Sequence, residues 1–380
     1  MNGKKLFWVR VCKFLALLIP AVLLMLLLPV NDYSDTPRLQ GFYMEEENSL
    51  DMVLIGSSEN YAGYSPVLAY EEYGFTSYPY VLSGTDFSLF EEQLDEVLSV
   101  QSPQMVVVDI GEMQHANRSS KDTVLRQLVA AMPFSEHKVQ VIREHGDPEH
   151  LLSYWFPFFV NHGNMTLKTV RDYARLNAAI QKRGFTLLKG AITFTGTGEH
   201  WDGPYVEPWR NTNGDHSVVE LPQNVLDTCR DVVEVCRRHP DVQFLFINTP
   251  HRFTSDEMYL SYQTVNAIGE YLRAEGYDFI NFESMTDVLG IIPETDFYNN
   301  AHMNLYGQYK LTRFLSRIMV EEYGLEGREQ SPENRQRWDT CAAYQKRYYA
   351  LFEEKVAQHV PGTFGLWLQE DTWLLDNLKE

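Results

Sequence analysis

Two short polar segments, far apart in the chain, contain the residue types of nucleophilic catalysis. The first, Gly-Ser-Ser-Glu-Asn at residues 56–60, directly follows an apolar run at 52–55 that predicts a buried strand. A small turn of this kind can display a serine hydroxyl, which is a weak nucleophile and needs an adjacent base. The second segment contains His302, in a polar loop before an amphipathic helix, where a histidine can exchange protons near neutral pH.

Each segment also has an ordinary structural interpretation. Ser57 or Ser58 could cap the helix that follows, because serine is a preferred N-cap residue. His302 could be a solvated loop residue with no chemical role. Neither segment alone assigns a function, and the pattern becomes specific only when both segments are considered together.

Together the two segments resemble the SGNH/GDSL hydrolase superfamily, in which Gly-x-Ser follows the first strand and Asp-x-x-His precedes the last helix. The resemblance spans residues 51–322. It implies that Ser58 is the nucleophile, with Ser57 as the alternative, and that His302 is the base that shuttles the proton.

Further segments make the chain similar to the membrane-anchored DltD-like and SGNH-like proteins of Gram-positive bacteria. These carry an insertion with a histidine, here His162, then a Lys-Gly pair, here at 189–190, and the ending Asp-Phe-Tyr-x-x-x-His-x-Asn, here at 296–304. We expect His162 to bind substrate, together with Asn248, which ends the fourth predicted strand.

The resemblance also implies an oxyanion hole. Its expected donors are the backbone amides of Ser58 and Gly84, with Gly111 at the start of the third conserved block of the superfamily. That block is commonly Gly-x-Asn, whereas this chain has Met113 at the asparagine position. A donor side chain is therefore missing from the pattern.

The expected acid of the catalytic triad is also replaced, because Asn299 stands three residues before His302. An aspartate in this role orients the imidazole and stabilises its charged form, and an amide can favour the wrong tautomer. Asp296, three residues earlier, is the candidate substitute, and some enzymes of this fold use a Ser–His pair with a backbone carbonyl. The sequence therefore leaves both an active and a catalytically inactive protein open.

Apolar runs that alternate with helical patterns predict how these residues are positioned. The fold class is α/β, a three-layer sandwich with a parallel, flavodoxin-like sheet. The predicted strands are 52–55, 78–82, 105–110, 244–247 and 278–282, and the predicted helices are 89–100, 123–131, 167–183, 226–238, 255–275, 305–322 and 334–358. Ligands bind such sheets beyond the carboxyl ends of the strands, where the candidate residues fall. The domain is expected at 50–325, with an insertion at 117–222 over the strand ends and a helical tail at 326–380.

The first 31 residues predict a transmembrane anchor, and residues 32–49 a polar spacer. The apolar run at 14–30 approaches the ~20 residues that cross a bilayer. Four basic residues precede it, so the N-terminus is expected in the cytoplasm and the folded domain on the outer side of the plasma membrane. A cleaved signal peptide is the alternative, although no small-x-small cleavage site follows the run.

Composition excludes one class of function. The formal net charge is −20, and four basic residues lie in the anchor, so the remainder of the chain is more acidic still. Such a surface repels nucleic acid. No spacing of histidine, cysteine and acidic residues predicts a metal site, since His145 and His150 lack a third ligand, and no cofactor is expected.

The resemblance and the predicted topology together imply a cell-surface serine esterase or O-acyltransferase that acts on an acylated envelope polysaccharide or teichoic acid. A multi-span membrane acyltransferase is the expected protein partner. Two alternatives stay open: an inactive SGNH-like binding or assembly partner of such an acyltransferase, and an esterase directed at lipids on the bilayer face. The choice of polymer rests on analogy and location.

Overall fold

The structure, a computed structural model, describes residues 3–27, 35–115, 121–156, 166–194, 209–357 and 367–368 of the 380-residue chain. Its centre is a five-stranded parallel sheet of β1 (Met52–Ile55), β2 (Ser77–Pro79), β3 (Met105–Asp109), β5 (Gln243–Asn248) and β6 (Asp278–Asn281). The strand order is β2-β1-β3-β5-β6, the flavodoxin-like plan. A separate antiparallel pair joins β4 (Thr193–Phe194) to β7 (Trp367–Leu368).

Successive residues of the central strands point to opposite faces of the sheet, and both faces are buried. In β1, Val53 and Ile55 contribute to one apolar core, whereas Met52 and Leu54 contribute to the other. This is why the strands are continuous apolar runs rather than alternating ones. The predicted α/β sandwich with a parallel sheet is confirmed.

The described residues include fourteen α-helices, several of which cover the two faces of the central sheet. They are α1 (Gly3–Leu27), α2 (Asp35–Phe42), α3 (Ser58–Gly63), α4 (Pro66–Tyr73), α5 (Phe90–Val100), α6 (Lys121–Ala131), α7 (Glu136–His145), α8 (Leu151–Trp155), α9 (Leu167–Arg183), α10 (Gln223–Arg237), α11 (Asp256–Ala274), α12 (Thr286–Leu289), α13 (Leu305–Glu321) and α14 (Pro332–Ala357). Short 3₁₀ turns occupy Phe87–Leu89, Gly111–His115, Pro148–His150 and Phe282–Met285. Helices α2, α5, α6, α10 and α11 pack on the Val53 face, and α3, α4 and α13 pack on the Leu54 face.

The N-terminal helix corrects the prediction of a membrane anchor. Among the described residues, no helix is both long enough and apolar enough to cross a bilayer. The predicted transmembrane helix, and the single-pass plasma-membrane location with an extracellular domain that was derived from it, are therefore wrong.

The segment predicted as a polar spacer is also different in the structure. Its residues 35–42 form α2, in which Leu39 and Phe42 are fully buried in the core. Arg38 on the same helix donates to the carbonyl oxygen of Val81 at 2.8 Å, just beyond β2. The sequence signal was weak because the helix has few apolar residues, and burial of those few holds it against the domain.

A buried ion pair fastens this N-terminal segment to two distant parts of the chain. Lys189 Nζ lies 2.8 Å from both carboxylate oxygens of Glu45, and the lysine side chain is fully buried. The ammonium group also lies over the ring of Trp338 from α14, 4.5 Å from its centroid. The Lys-Gly pair at 189–190 therefore has a structural role here.

Candidate active site

The turn after β1, residues 56–60, is called the nucleophile turn below. A Cβ on Gly56 would lie 2.0 Å from Asn60 Oδ1, so only glycine fits. Ser57 caps α3: its hydroxyl accepts from the backbone N–H of Glu59, and Asn60 Oδ1 accepts from the N–H of Ser57 at 3.0 Å. Because the cap uses the buried Ser57, the half-exposed Ser58 is the serine free to act as nucleophile.

A buried hydrogen-bond network ties the nucleophile turn to the neighbouring strand ends. Asn60 Nδ2 donates to Asp109 Oδ2 at 2.8 Å and to Thr249 Oγ1 at 3.1 Å. Asp109 also accepts from the backbone N–H of Thr249 and of Gly111, at 3.1 Å and 2.8 Å. The ends of β1, β3 and β5 are thereby held together, at the point where the strand order reverses.

The loop that presents the histidine, residues 296–304, is called the histidine loop. Phe297 and Met303 form an isolated antiparallel bridge, and the N–H of Tyr298 donates to the carbonyl of His302 at 2.9 Å. Asn304 closes the loop by capping α13. This geometry places His302 Nε2 2.7 Å from Ser58 Oγ, across 244 residues of sequence.

Asn299 fixes the orientation and the tautomer of His302. Its Oδ1 lies 3.0 Å from His302 Nδ1 and also accepts the backbone N–H groups of Ala301 and His302, at 2.9 Å and 2.8 Å. An atom that accepts from two backbone donors must be the amide oxygen. Nδ1 therefore carries the proton and donates it to Asn299, and Nε2 is left as an acceptor for the Ser58 hydroxyl. The amide here holds the productive tautomer.

Asp296, the candidate substitute for the triad acid, does not contact the ring. Its carboxylate is buried and lies 2.6 Å from Lys310 Nζ on α13. It also accepts from the N–H of Ile292 at 2.7 Å and the hydroxyl of Thr295 at 2.9 Å. Of the two residues expected to position His302, Asn299 contacts the ring and Asp296 does not, because Lys310 and the local backbone occupy the Asp296 oxygens.

The residues predicted to form the oxyanion hole have different outcomes in the structure. Gly84 adopts φ +63° in a turn beside α3, where Ser83 Oγ lies 3.3 Å from Tyr61 OH. The N–H of Gly111 instead donates to Asp109, which corrects its assignment as an oxyanion donor. Met113 is fully buried in the core, and its thioether has no hydrogen to donate. The N–H of Ser58 lies in the first turn of α3, where helical amides lack intrahelical acceptors.

The two predicted substrate-binding residues have different outcomes. His162 lies outside the described residues. Asn248 is buried at the carboxyl end of β5, where its Nδ2 donates to Asn281 Oδ1 at 3.1 Å. Its Oδ1 has no hydrogen-bond partner among the described residues and lies 3.2 Å from the position that a Cβ on Gly111 would take. Asn248 therefore lies beside Gly111 at the carboxyl ends of β3 and β5, and its role in substrate binding stays a prediction.

A buried ionic cluster beside the nucleophile was not predicted. His251 Nε2 lies 2.9 Å from Glu59 Oε1, and His251 Nδ1 contacts Glu283 Oε1. Burial opposes the charge on His251, but the two carboxylates raise its pKa well above the ordinary value. Burial also acts to raise the pKa of Glu59, yet His251 outweighs it and the pKa of Glu59 falls below its ordinary value. The cluster joins residues that follow β1, β5 and β6, and no local pattern in the sequence brings these three positions together.

Aromatic rings enclose His302. The ring of Tyr61 is stacked with the imidazole at 6.5 Å between centroids, and Phe194 of β4 lies at 5.5 Å. Phe194 is in turn stacked on Tyr298 at 4.5 Å. This burial lowers the pKa of His302 below its ordinary value, the charge of Glu59 opposes that effect, and His251 adds to it. The imidazole is therefore neutral at neutral pH, as a general base must be.

Other polar clusters lie away from this pair. A cavity of about 490 Å³ beside the 3₁₀ turn Gly111–His115 is lined by acidic and polar side chains, among them Asp86, Glu112 and Asp231. Among the described residues, the one group close enough to ligate a metal is Glu92, Glu144 and His145, on α5 and α7. His145 Nε2 already pairs with Glu92 at 2.6 Å.

No protein family, curated protein or solved structure matched this chain.

Proposed function

We propose that this protein is a serine esterase or O-acyltransferase of the SGNH type, with Ser58 as nucleophile and His302 as general base. The observation that carries the proposal is the relay from Ser58 Oγ to His302 Nε2 at 2.7 Å and from His302 Nδ1 to Asn299 Oδ1 at 3.0 Å. A nucleophile that bonds to a base, itself oriented by a third group, is the general pattern of covalent acyl transfer.

In the proposed reaction, Ser58 Oγ attacks the acyl carbon of an ester while its proton passes to His302 Nε2. The tetrahedral oxyanion is held by the backbone amides of Ser58 and Gly84. Collapse breaks the bond to the alcohol, which leaves with the proton from His302, and the acyl group stays on Ser58. Attack by water then yields a free acid, whereas attack by a second hydroxyl yields a new ester.

The neutral Asn299 limits the proposed rate. It orients the ring but offers no negative charge to the imidazolium that forms as Ser58 attacks. Because burial already lowers the pKa of His302, the base is available from mildly acidic pH upward but is harder to protonate in the transition state. We therefore expect a slow enzyme whose activity is lost only at a pH below the ordinary pKa of histidine.

The test is covalent labelling of the full chain with a fluorophosphonate probe, which reacts with activated serines. Wild-type protein should label, and mass spectrometry should place the label on the peptide that contains Ser58. His302→Gln should abolish labelling, and the rate should be half-maximal at a pH below about 6.5, the ordinary pKa of histidine. A wild-type protein that does not label between pH 5 and 9 would favour an inactive binding partner.

A further inference from the structure

The segment after β2 that leads to Gly84 is held by side chains from helices. Among the described strands, β2 is at the edge of the central sheet, so backbone groups on its outer side need other partners. Arg38 of α2 donates to the carbonyl oxygen of Val81 at 2.8 Å, and Gln93 of α5 donates to that of Tyr80 at 2.6 Å. Side chains of the helices therefore fix the path of the chain up to the Gly84 turn.

One side chain of α6, Gln127, binds both backbone groups of Ser83. Its Oε1 accepts from the Ser83 N–H at 2.9 Å, and its Nε2 donates to the Ser83 carbonyl oxygen at 3.1 Å. A backbone N–H can only donate and a carbonyl can only accept, so the orientation of this amide is fixed. The N–H of Leu82 donates to the carbonyl oxygen of Gly56 at 3.1 Å, which joins the same segment to the nucleophile turn.

The bond to the Ser83 carbonyl also fixes the direction of the Gly84 N–H. The two groups belong to one planar, trans peptide unit, so the carbonyl and the N–H point in opposite directions. Because Gln127 holds the carbonyl towards α6, the N–H is directed away from α6. Glycine adopts φ of either sign at little cost, so Gly84 itself does not prevent rotation of this peptide unit. Gln127 therefore removes a freedom that the glycine turn would otherwise keep.

We infer that Gln127 is a positioning residue for the oxyanion hole: its amide holds the Gly84 peptide unit so that the N–H serves the acyl oxygen of an ester attacked by Ser58. Helix α6 lies at the start of the segment 117–222 that was predicted as an insertion, so this segment takes part in forming the site. The inference rests on the proposed function for its catalytic meaning. The contact between Gln127 and the peptide unit can be measured without any reaction.

The first test observes the Gly84 peptide unit by NMR in the full-length protein. Ser83-Gly84 is the only Ser-Gly pair in the sequence, so [1-¹³C]serine and [¹⁵N]glycine together give one signal in a carbonyl-filtered ¹H–¹⁵N spectrum. Gln127→Met keeps the length of the side chain and removes both hydrogen bonds, and should shift this signal. Gln93→Met removes the bond to the Tyr80 carbonyl and is the matched control, which should shift the signal much less. Equal shifts in both variants, or none, overturn the inference.

The second test measures kcat and KM for hydrolysis of p-nitrophenyl acetate at pH 8. An oxyanion donor acts on the transition state more than on the bound substrate. Gln127→Met should therefore lower kcat by at least about tenfold and change KM by less than about threefold. Gln127→Glu keeps the acceptor for the Ser83 N–H but places an ionised oxygen against the Ser83 carbonyl, and should be at least as slow. Full activity of Gln127→Glu would show that the bond to the carbonyl is not needed and would reject the inference.

Thermal unfolding separates this role from a loss of stability. Gln93 is buried, so Gln93→Met should destabilise the protein at least as much as Gln127→Met, yet keep kcat within about threefold of the wild-type value. A kcat that falls in step with stability in both variants would make Gln127 a structural residue only. If no protein hydrolyses the ester while the Ser83-Gly84 signal shifts as expected, the proposed function fails and the contact of Gln127 with the turn stands.

Discussion

The nucleophile turn and the histidine loop are held by different physical means. At the nucleophile turn, buried carboxylates do the holding: Asp109 binds the backbone of two strand ends, and Glu59 pairs with His251. At the histidine loop, an amide and backbone bonds orient the ring, and the local carboxylate, Asp296, is directed to Lys310. The nucleophile turn is therefore held by carboxylates and the ring of His302 by an amide, and the following variants test this contrast in order of expected effect.

The largest effect should come from removing the relay itself. Ser58→Ala should reduce ester hydrolysis by at least about a thousandfold, about 4 kcal/mol of barrier, because the covalent route is lost. His302→Gln should cost about as much, and the double variant little more than either single one. The rate is measured as hydrolysis of p-nitrophenyl acetate by the purified full-length protein. Additive losses would mean that the two residues do not act as one unit.

A smaller effect, on stability, is expected when Asp109, the carboxylate that holds the nucleophile turn to the neighbouring strand ends, is neutralised. In Asp109→Asn, an amide nitrogen replaces one of the carboxylate oxygens that accept hydrogen bonds, so that a donor faces other donors. The change should lower the free energy of unfolding by about 3 kcal/mol. The matched change in the histidine loop, Asp296→Asn, should cost less, since Lys310 is 31% exposed and can be hydrated. Urea denaturation compares the two. An equal or reversed order would contradict the contrast between the regions.

The next largest effect is expected when a negative charge is placed beside His302 in the histidine loop. Asn299→Asp keeps an oxygen for the ring and for the two backbone donors, and should raise the hydrolysis rate at least about tenfold, a change of about 1.4 kcal/mol in the barrier. Asp296→Ala should change the rate little, because that carboxylate does not reach His302. A large loss with Asp296→Ala would instead return Asp296 to the mechanism.

The smallest effect concerns the other serine of the turn. Ser57→Ala removes the side-chain cap of α3 and should lower the free energy of unfolding by about 1 kcal/mol, while labelling of Ser58 persists. Thermal unfolding and probe labelling of the same sample give both quantities. Loss of labelling in a protein that is still folded would make Ser57 the nucleophile.

Much of the fold could be predicted from the sequence, because clear apolar patterns mark its main strands and helices. The run at 52–55 became β1 at the predicted bounds, and the helix at 167–183 likewise became α9. The resemblance to the SGNH/GDSL superfamily pairs Ser58 with His302, and the structure brings the two side chains together. The short helix α4 was missed, because its eight residues are too few for a helical period to emerge.

Contacts between distant segments could not be predicted from local patterns. Nothing near Asp296 in the sequence indicated that Lys310, one helix further on, would bind it. The burial of α2 depends on Phe42, whose ring packs on Tyr78 of β2 and on Tyr80 just after it, and no periodicity reveals these contacts. The Glu59–His251–Glu283 cluster combines three strand ends, so only the sheet order makes it visible.

The buried pair of Lys189 and Glu45 has a practical consequence for anyone who shortens this chain. A chain that starts at residue 50, just before β1, would lack Glu45 and leave the Lys189 ammonium buried without its carboxylate partner. This loss should cost about 3–5 kcal/mol of stability. Ending the chain at residue 325 would remove Trp338 from above the same ammonium. The smallest fragment that can be expected to fold therefore begins before α2 and extends through α14.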